Sequence, residues 1–161
     1  MATLTVTLTE ALTLNGSEQG GTVTLTASGV NDIYKRIVSC PDDVPLGLVT
    51  FKSTVGVATS ENLMDIELVK YIRITNLDGT NPVILNLLID TNQNDTAAEK
   101  ICSIQLEAGK TFMMGTPNQG IDVDDDAATE NTAVSSLVDL RSITVDPISE
   151  AVQLEVFVAS A

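Results

Sequence analysis

Threonine alternates with aliphatic residues through "TLTVTLTEALTL", Thr3 to Leu14, and this period of two constrains the fold more than any other feature of the chain. Leu4, Val6, Leu8, Leu12 and Leu14 share one parity, and threonines fill most of the other. Successive side chains on a strand point to opposite faces, so the pattern predicts a half-buried strand with its polar face toward solvent. "TVTLTAS", Thr22 to Ser28, repeats the alternation after the turn signal "NGSEQGG". The two segments are expected to form a hairpin or to pair with different neighbours.

Further strands are predicted at short spacing: Asp32–Ser39, Leu46–Lys52, Lys70–Asn76, Pro82–Asp90, Lys100–Glu107, Lys110–Met114, Leu137–Val145 and Ala151–Ser160. Turns such as "NLDGTNP", "EAG" and "TPNQG" separate them. Many short strands with few helical patterns point to an all-β fold, an antiparallel sandwich or barrel, and the primary expectation is an antiparallel jelly-roll-like β-sandwich of about eight to ten strands. A chain of 161 residues is the size of one ordinary domain, and no linker or repeat divides it, so a single domain over residues 1–161 is expected.

Two local expectations refine this picture. In "LVDLRSITV", Val138 and Leu140 share a parity that Ile143 and Val145 do not, so a bulge or bend near Arg141-Ser142 would return both pairs to the core. "TSENLMDIELV" places Thr59 or Ser60 as a cap before Leu63, Ile66 and Val69, which predicts a short helical turn between sheets.

Charge narrows the partners. The net charge is −14, from 22 acidic and 8 basic residues, and such a surface repels phosphate backbones and anionic lipid. Neither nucleic acid nor a membrane is an expected partner. The adjacent pair Lys35-Arg36 reads as two solvated strand residues. The N-terminal segment alternates and has no basic region, unlike a signal peptide, and the apolar run "VILNLLI" is too short to span a bilayer. Synthesis in the cytoplasm is expected. Cys40 and Cys102, far apart and in no CxxC motif, read as small buried hydrophobes, and a chain of this size does not require a disulfide between them.

Catalytic chemistry has little to build on. The chain contains no histidine, which removes Ser-His-Asp and Cys-His arrangements and any imidazole ligand for zinc. The densest acidic run, "GIDVDDDAATENTA", fails as an EF-hand: starting from Asp122, the sixth position is Ala127 and the twelfth Ala133. Asp122, Asp124 and Asp126 are candidate ligands of a looser calcium site, set against the preferred reading of a solvated acidic loop. "NGSEQGG" lacks the Lys-Ser/Thr of a P-loop, and "NGS" and "NDT" match the glycosylation pattern without a secretory context. No catalytic residue, no cofactor and no enzyme activity are expected. Aromatic residues are only 3% of the chain, with no tryptophan, which disfavours a sugar site built on ring stacking.

The stretches "ELVKYIRITNLDGTNPVILNLLID", "SIQLEAGKTFMM" and "SLVDLRSITVDPISEAVQLEVFVASA" carry a resemblance over Glu67 to Ala161. Their order of strand, turn, apolar strand, "LEAGKTF" hairpin, polar loop and final strands resembles small β-sandwich structural proteins of tailed-bacteriophage virions, including head decoration (cement) proteins and neck or tail accessory proteins. The resemblance implies a non-enzymatic virion component that assembles as a homo-oligomer, often a trimer, on the major capsid protein or another virion protein. It carries no individual functional residue. From the residues themselves, "AVQLEVFVAS" aims Val152, Leu154, Val156 and Val158 to one face and leaves Phe157 with Gln153 and Glu155 on the other. Phe157 is therefore the candidate interface anchor, unless a second layer of the same chain covers it. A capsid decoration protein is the primary expectation; a neck or tail component and a small carbohydrate- or calcium-binding sandwich module are the alternatives.

Overall fold

The computed structural model describes residues 1–52, 63–90, 99–115, 117–118, 120–121 and 137–161. They form β1 (Ala2–Glu10), β2 (Thr13–Leu14), β3 (Ser17–Glu18), β4 (Gly21–Val30), β5 (Asp32–Cys40), β6 (Leu46–Lys52), β7 (Leu63–Asp65), β8 (Val69–Asn76), β9 (Val83–Asp90), β10 (Glu99–Leu106), β11 (Thr111–Met114), β12 (Asp139–Pro147) and β13 (Val152–Ser160). The fold is all-β, with two larger sheets in the orders β10-β9-β12-β6-β7 and β11-β8-β13-β5. Pairing is antiparallel except between β6 and β7.

One apolar core lies between these sheets. From one come Leu48, Val83, Leu85, Leu140, Ile143 and Val145, and from the other Ile72, Ile74, Leu154, Val156 and Val158, all 2% exposed or less. Alternation supplies this interior without large aromatics, because β-branched and leucine side chains fill a pleated face densely. The expected bulge is present: β12 pairs Leu140 with Ile89 and Ser142 with Leu88, leaving Arg141 as the extra residue. Leu140, Ile143 and Val145 all reach the core as a result, and Val138 is half-buried.

One local expectation holds in shorter form, with a different cap, and two are corrected. The helical turn is a single 3₁₀ turn, Ile66–Leu68, capped by Asp65, whose carboxylate accepts from Glu67 N–H at 3.1 Å. Leu63–Asp65 is taken by parallel pairing with β6, and Thr59 and Ser60 lie outside the described residues. The "LEAGKTF" segment is a β-turn, closed by Lys110 N–H to Glu107 C=O at 3.1 Å with Gly109 at φ 69°, yet it makes no hairpin. The strands it joins belong to opposite sheets, so the turn carries the chain across the sandwich. The opening strand is broken as well. It ends at Glu10, and a separate two-residue ladder, Thr13–Leu14 with Ser17–Glu18, closes on Asn15 and Gly16 at φ 52° and 78°. Asn-Gly with both residues left-handed suits the twist of a two-residue hairpin.

Glu18 makes the break. Its Oε1 accepts from Leu12 N–H at 3.1 Å and from Gly20 N–H at 2.9 Å, replacing ladder bonds where the ribbon kinks. These amides hold the Glu18 carboxyl below the ordinary glutamate value. Gly20 is required there, since a Cβ would stand 1.9 Å from the Glu10 carbonyl oxygen. The alternating segments thus form a hairpin arm, β1 to β4, joined to edge strand β5 through Asn31, with Gly29 near the end of β4 at φ 79°.

Candidate interaction surface

The outer face of the β11-β8-β13-β5 sheet is a grid of three rows. Strand register places Met113, Arg73, Phe157 and Lys35 side by side, with Thr111, Thr75, Glu155 and Ile37 in the row on one side. Tyr71, Ala159 and Ile33 form the row on the other. Cross-strand neighbours on one face stand close enough to interact directly, and they do. Glu155 pairs with Lys35 Nζ at 3.4 Å and with the Arg73 guanidinium, so one carboxylate spans three strands. The Arg73 guanidinium carbon lies 5.8 Å from the Phe157 ring centroid, and the Tyr71 ring meets Phe157 edge-on at 6.2 Å and 63°. Thr75 and Thr111 hydroxyls are 3.1 Å apart.

Phe157 is half-buried, with aromatic and cationic neighbours on its own sheet and the base of the arm above it. Leu4 and Val6 pack with Val30, Tyr71, Ala159 and Phe157 as a small second cluster outside the sandwich core. Part of the chain therefore does cover this side chain. The cover is incomplete at the rim, where Ile33, Ile37 and Met113 are exposed. Beneath it, the Tyr71 hydroxyl is buried with no hydrogen-bond partner among the described residues, and burial pushes its pKa up while Arg73 opposes the shift.

The arm continues the apolar face outward. Leu4 faces Ala27, Val6 faces Leu25 and Leu8 faces Val23, all on one side of the ribbon, while threonines and Ser28 occupy the other. The half-buried strand expected from the alternation holds only at Leu4 and Val6. Leu25, opposite Val6, is 41% exposed, and farther out Leu8 is 47% and Val23 68% exposed. Leu12 and Leu14 at the kinked tip are exposed too. Leu25 leans over the end of β11, its Cδ2 lying 3.9 Å from where a Gly115 Cβ would be. Parity gives these leucines and valines a common apolar face and leaves open whether the chain itself or a neighbouring subunit covers it.

The other expected positions are dispersed. Asp122, Asp124 and Asp126 lie outside the described residues. Among the described residues, no group of three or more His, Cys, Asp or Glu side chains could hold a metal ion. Cys40 and Cys102 are both free thiols; Cys40 is fully buried, and Cys102 is half-buried on the opposite sheet. Lys35 is engaged by Glu155, and exposed Arg36 stacks its guanidinium 4.9 Å from the Tyr34 ring centroid. No helix among the described residues is long and apolar enough to cross a membrane. No family model, curated protein or solved structure matches the chain.

Proposed function

We propose that this chain is a non-enzymatic structural protein of a tailed-phage virion, placed on the head as a capsid decoration protein, and that its sandwich is a jelly roll. The observation that carries the reading is the apolar surface running from the arm onto the outer sheet. A soluble protein rarely leaves such a contiguous patch uncovered unless something binds it. Strand order supports the jelly-roll reading. Numbering β5, β6, β8, β9, β10, β11, β12 and β13 from one to eight gives 1-8-3-6 for one sheet and 5-4-7-2 for the other. That is the order of two interlocked Greek keys, an arrangement used by viral capsid domains. The segments resembling phage sandwich proteins fall on β8 to β13 and their connections. Work done by such a protein is surface burial between subunits, which needs no reacting group.

Quantitative mass spectrometry of purified virions tests the assignment. A fixed ratio to the major capsid protein is expected. A few copies per particle would move the protein to the neck or tail, and absence from the particle would overturn the virion reading.

A further inference from the structure

We propose that a second copy of this chain covers the apolar face of the arm and the outer sheet surface continuous with it. The inference rests on the reading that the protein works by assembly, and it names the contact surface and its occupant.

Three observations carry it. The first is charge. The whole chain holds 22 acidic and 8 basic residues, of which residues 1–30 hold two acidic and no basic ones. Two copies of so acidic a protein repel each other almost everywhere, and the arm is where they meet with the least like-charge cost. One of its two carboxylates, Glu18, is already held by the Leu12 and Gly20 amides. A strongly basic partner would instead be drawn to the acidic remainder.

The second observation is structural incompleteness. A two-stranded ribbon is marginal in water by itself and needs a further layer against its apolar face. The arm receives that layer only at its base, from Tyr71, Ala159 and Phe157. Leu25, opposite Val6, reaches the end of β11 at Gly115 yet stays 41% exposed, and beyond it Leu8 and Val23 are 47% and 68% exposed.

The third is continuity. A strand of nine residues spans about 30 Å, and a ribbon stripe of that length is small beside the roughly 800 Å² that each partner gives to a stable interface. The outer sheet face supplies the remainder. Ile33 and Ile37 on edge strand β5 and Met113 on β11 surround half-buried Phe157 and join the stripe through Leu4 and Val6. The same surface offered by both copies is self-complementary in chemistry, apolar against apolar, and Glu155 pairs with both Lys35 and Arg73 within each copy, which leaves the cluster a single net positive charge on an otherwise acidic chain.

Multi-angle light scattering across a concentration series tests this, with undecorated capsids co-sedimented in parallel. The wild type should run at a multiple of its 17.0 kDa chain mass. Val23→Asp on the arm and Ile37→Asp on the sheet should each weaken self-association about 100-fold, as a carboxylate buried unpaired at an interface does. Thr24→Asp, on the threonine face of the same ribbon, should leave it unchanged. Circular dichroism and melting of each variant check the fold, and Ile37→Asp decides if the arm variant misfolds. A monomeric wild type overturns the proposal, as does unchanged assembly of both Asp variants. A monomer that still binds capsids through Val23 would leave the decoration reading standing and assign the surface to a virion protein. Assembly without capsid binding would do the reverse.

Discussion

Asn76 is a buried polar residue, 1% exposed, at the end of β8, and its side chain is fully used. Its Nδ2 donates to Asn81 C=O at 2.9 Å and Leu106 C=O at 3.3 Å, and its Oδ1 accepts from Asp78 N–H at 3.0 Å. Asp78 in turn accepts from Thr80 and Asn81 N–H at 2.7 Å each, which lowers its pKa and fastens the "NLDGTNP" turn. Asn76→Ala strands these buried groups, and urea unfolding should show a loss of about 2–3 kcal/mol. A change below about 0.5 kcal/mol would mean that water replaces the amide. The thiols differ by the same logic of burial. Desolvation pushes Cys40 up to about 11, so its thiolate is scarce at neutral pH. With the native protein, half-buried Cys102 should react with Ellman's reagent first, and Cys40 only after unfolding. Equal reaction of both thiols in the folded state would contradict the packing around Cys40.

At the scale of elements, the arm and the sandwich are unequal partners. Among the described residues nineteen buried side chains make the sandwich core, and three make the cluster under the arm. The arm should therefore open as a local unit well below global unfolding. Amide exchange of a monomeric variant should be fast from Leu8 to Val23 and slow in β13, with the boundary near Val6. Protection of the arm equal to that of β13 would show that the small cluster suffices. Phe157→Asp probes the hinge between the two. It places a carboxylate beside Glu155 and removes the ring that Tyr71 and Arg73 contact, from the same small cluster that Leu4 and Val6 pack against. The sandwich should stay folded by far-UV circular dichroism while exchange at Leu4 and Val6 rises. Global unfolding would make Phe157 part of the main core instead of a bridge to the arm.

For the whole molecule the dominant long-range term is self-repulsion at a net charge of −14. Adding salt shortens the screening length from about 30 Å at 0.01 M to about 8 Å at 0.15 M. The melting temperature should rise over that interval and assembly should strengthen with it, because both bring like charges together. A melting temperature that falls with salt would mean that ion pairs such as Glu155 with Lys35 and Arg73 outweigh the net charge. Acidification bears on Glu18. Its folded pKa is depressed, so the stability it contributes is present above its unfolded value and is lost as pH falls through the folded one. Loosening of the arm tip should begin just below the ordinary glutamate range, seen as faster exchange at Leu12 and Gly20, and Glu18→Ala should abolish that pH dependence.

By itself the sequence determined most strands of the sandwich and which face of each is apolar, because both depend on neighbours along the chain. Val152, Leu154, Val156 and Val158 share one face, "NGSEQGG" reads as a turn, and the parity change at Arg141-Ser142 calls for a bulge or bend. It also placed Phe157 opposite that interior. Tertiary structure alone decided which apolar faces acquire a second layer. Leu4 and Leu8 are indistinguishable by alternation, yet one rests on Tyr71 and Phe157 and the other stands clear. The difference lies in where the arm leaves β5, a matter of contacts between residues distant in the chain. Likewise, nothing local to "LEAGKTF" separates a hairpin from a crossover, since both use the same β-turn at Gly109. Periodicity tells a strand which of its faces is apolar; only the partners that fold against it settle whether that face meets protein or water.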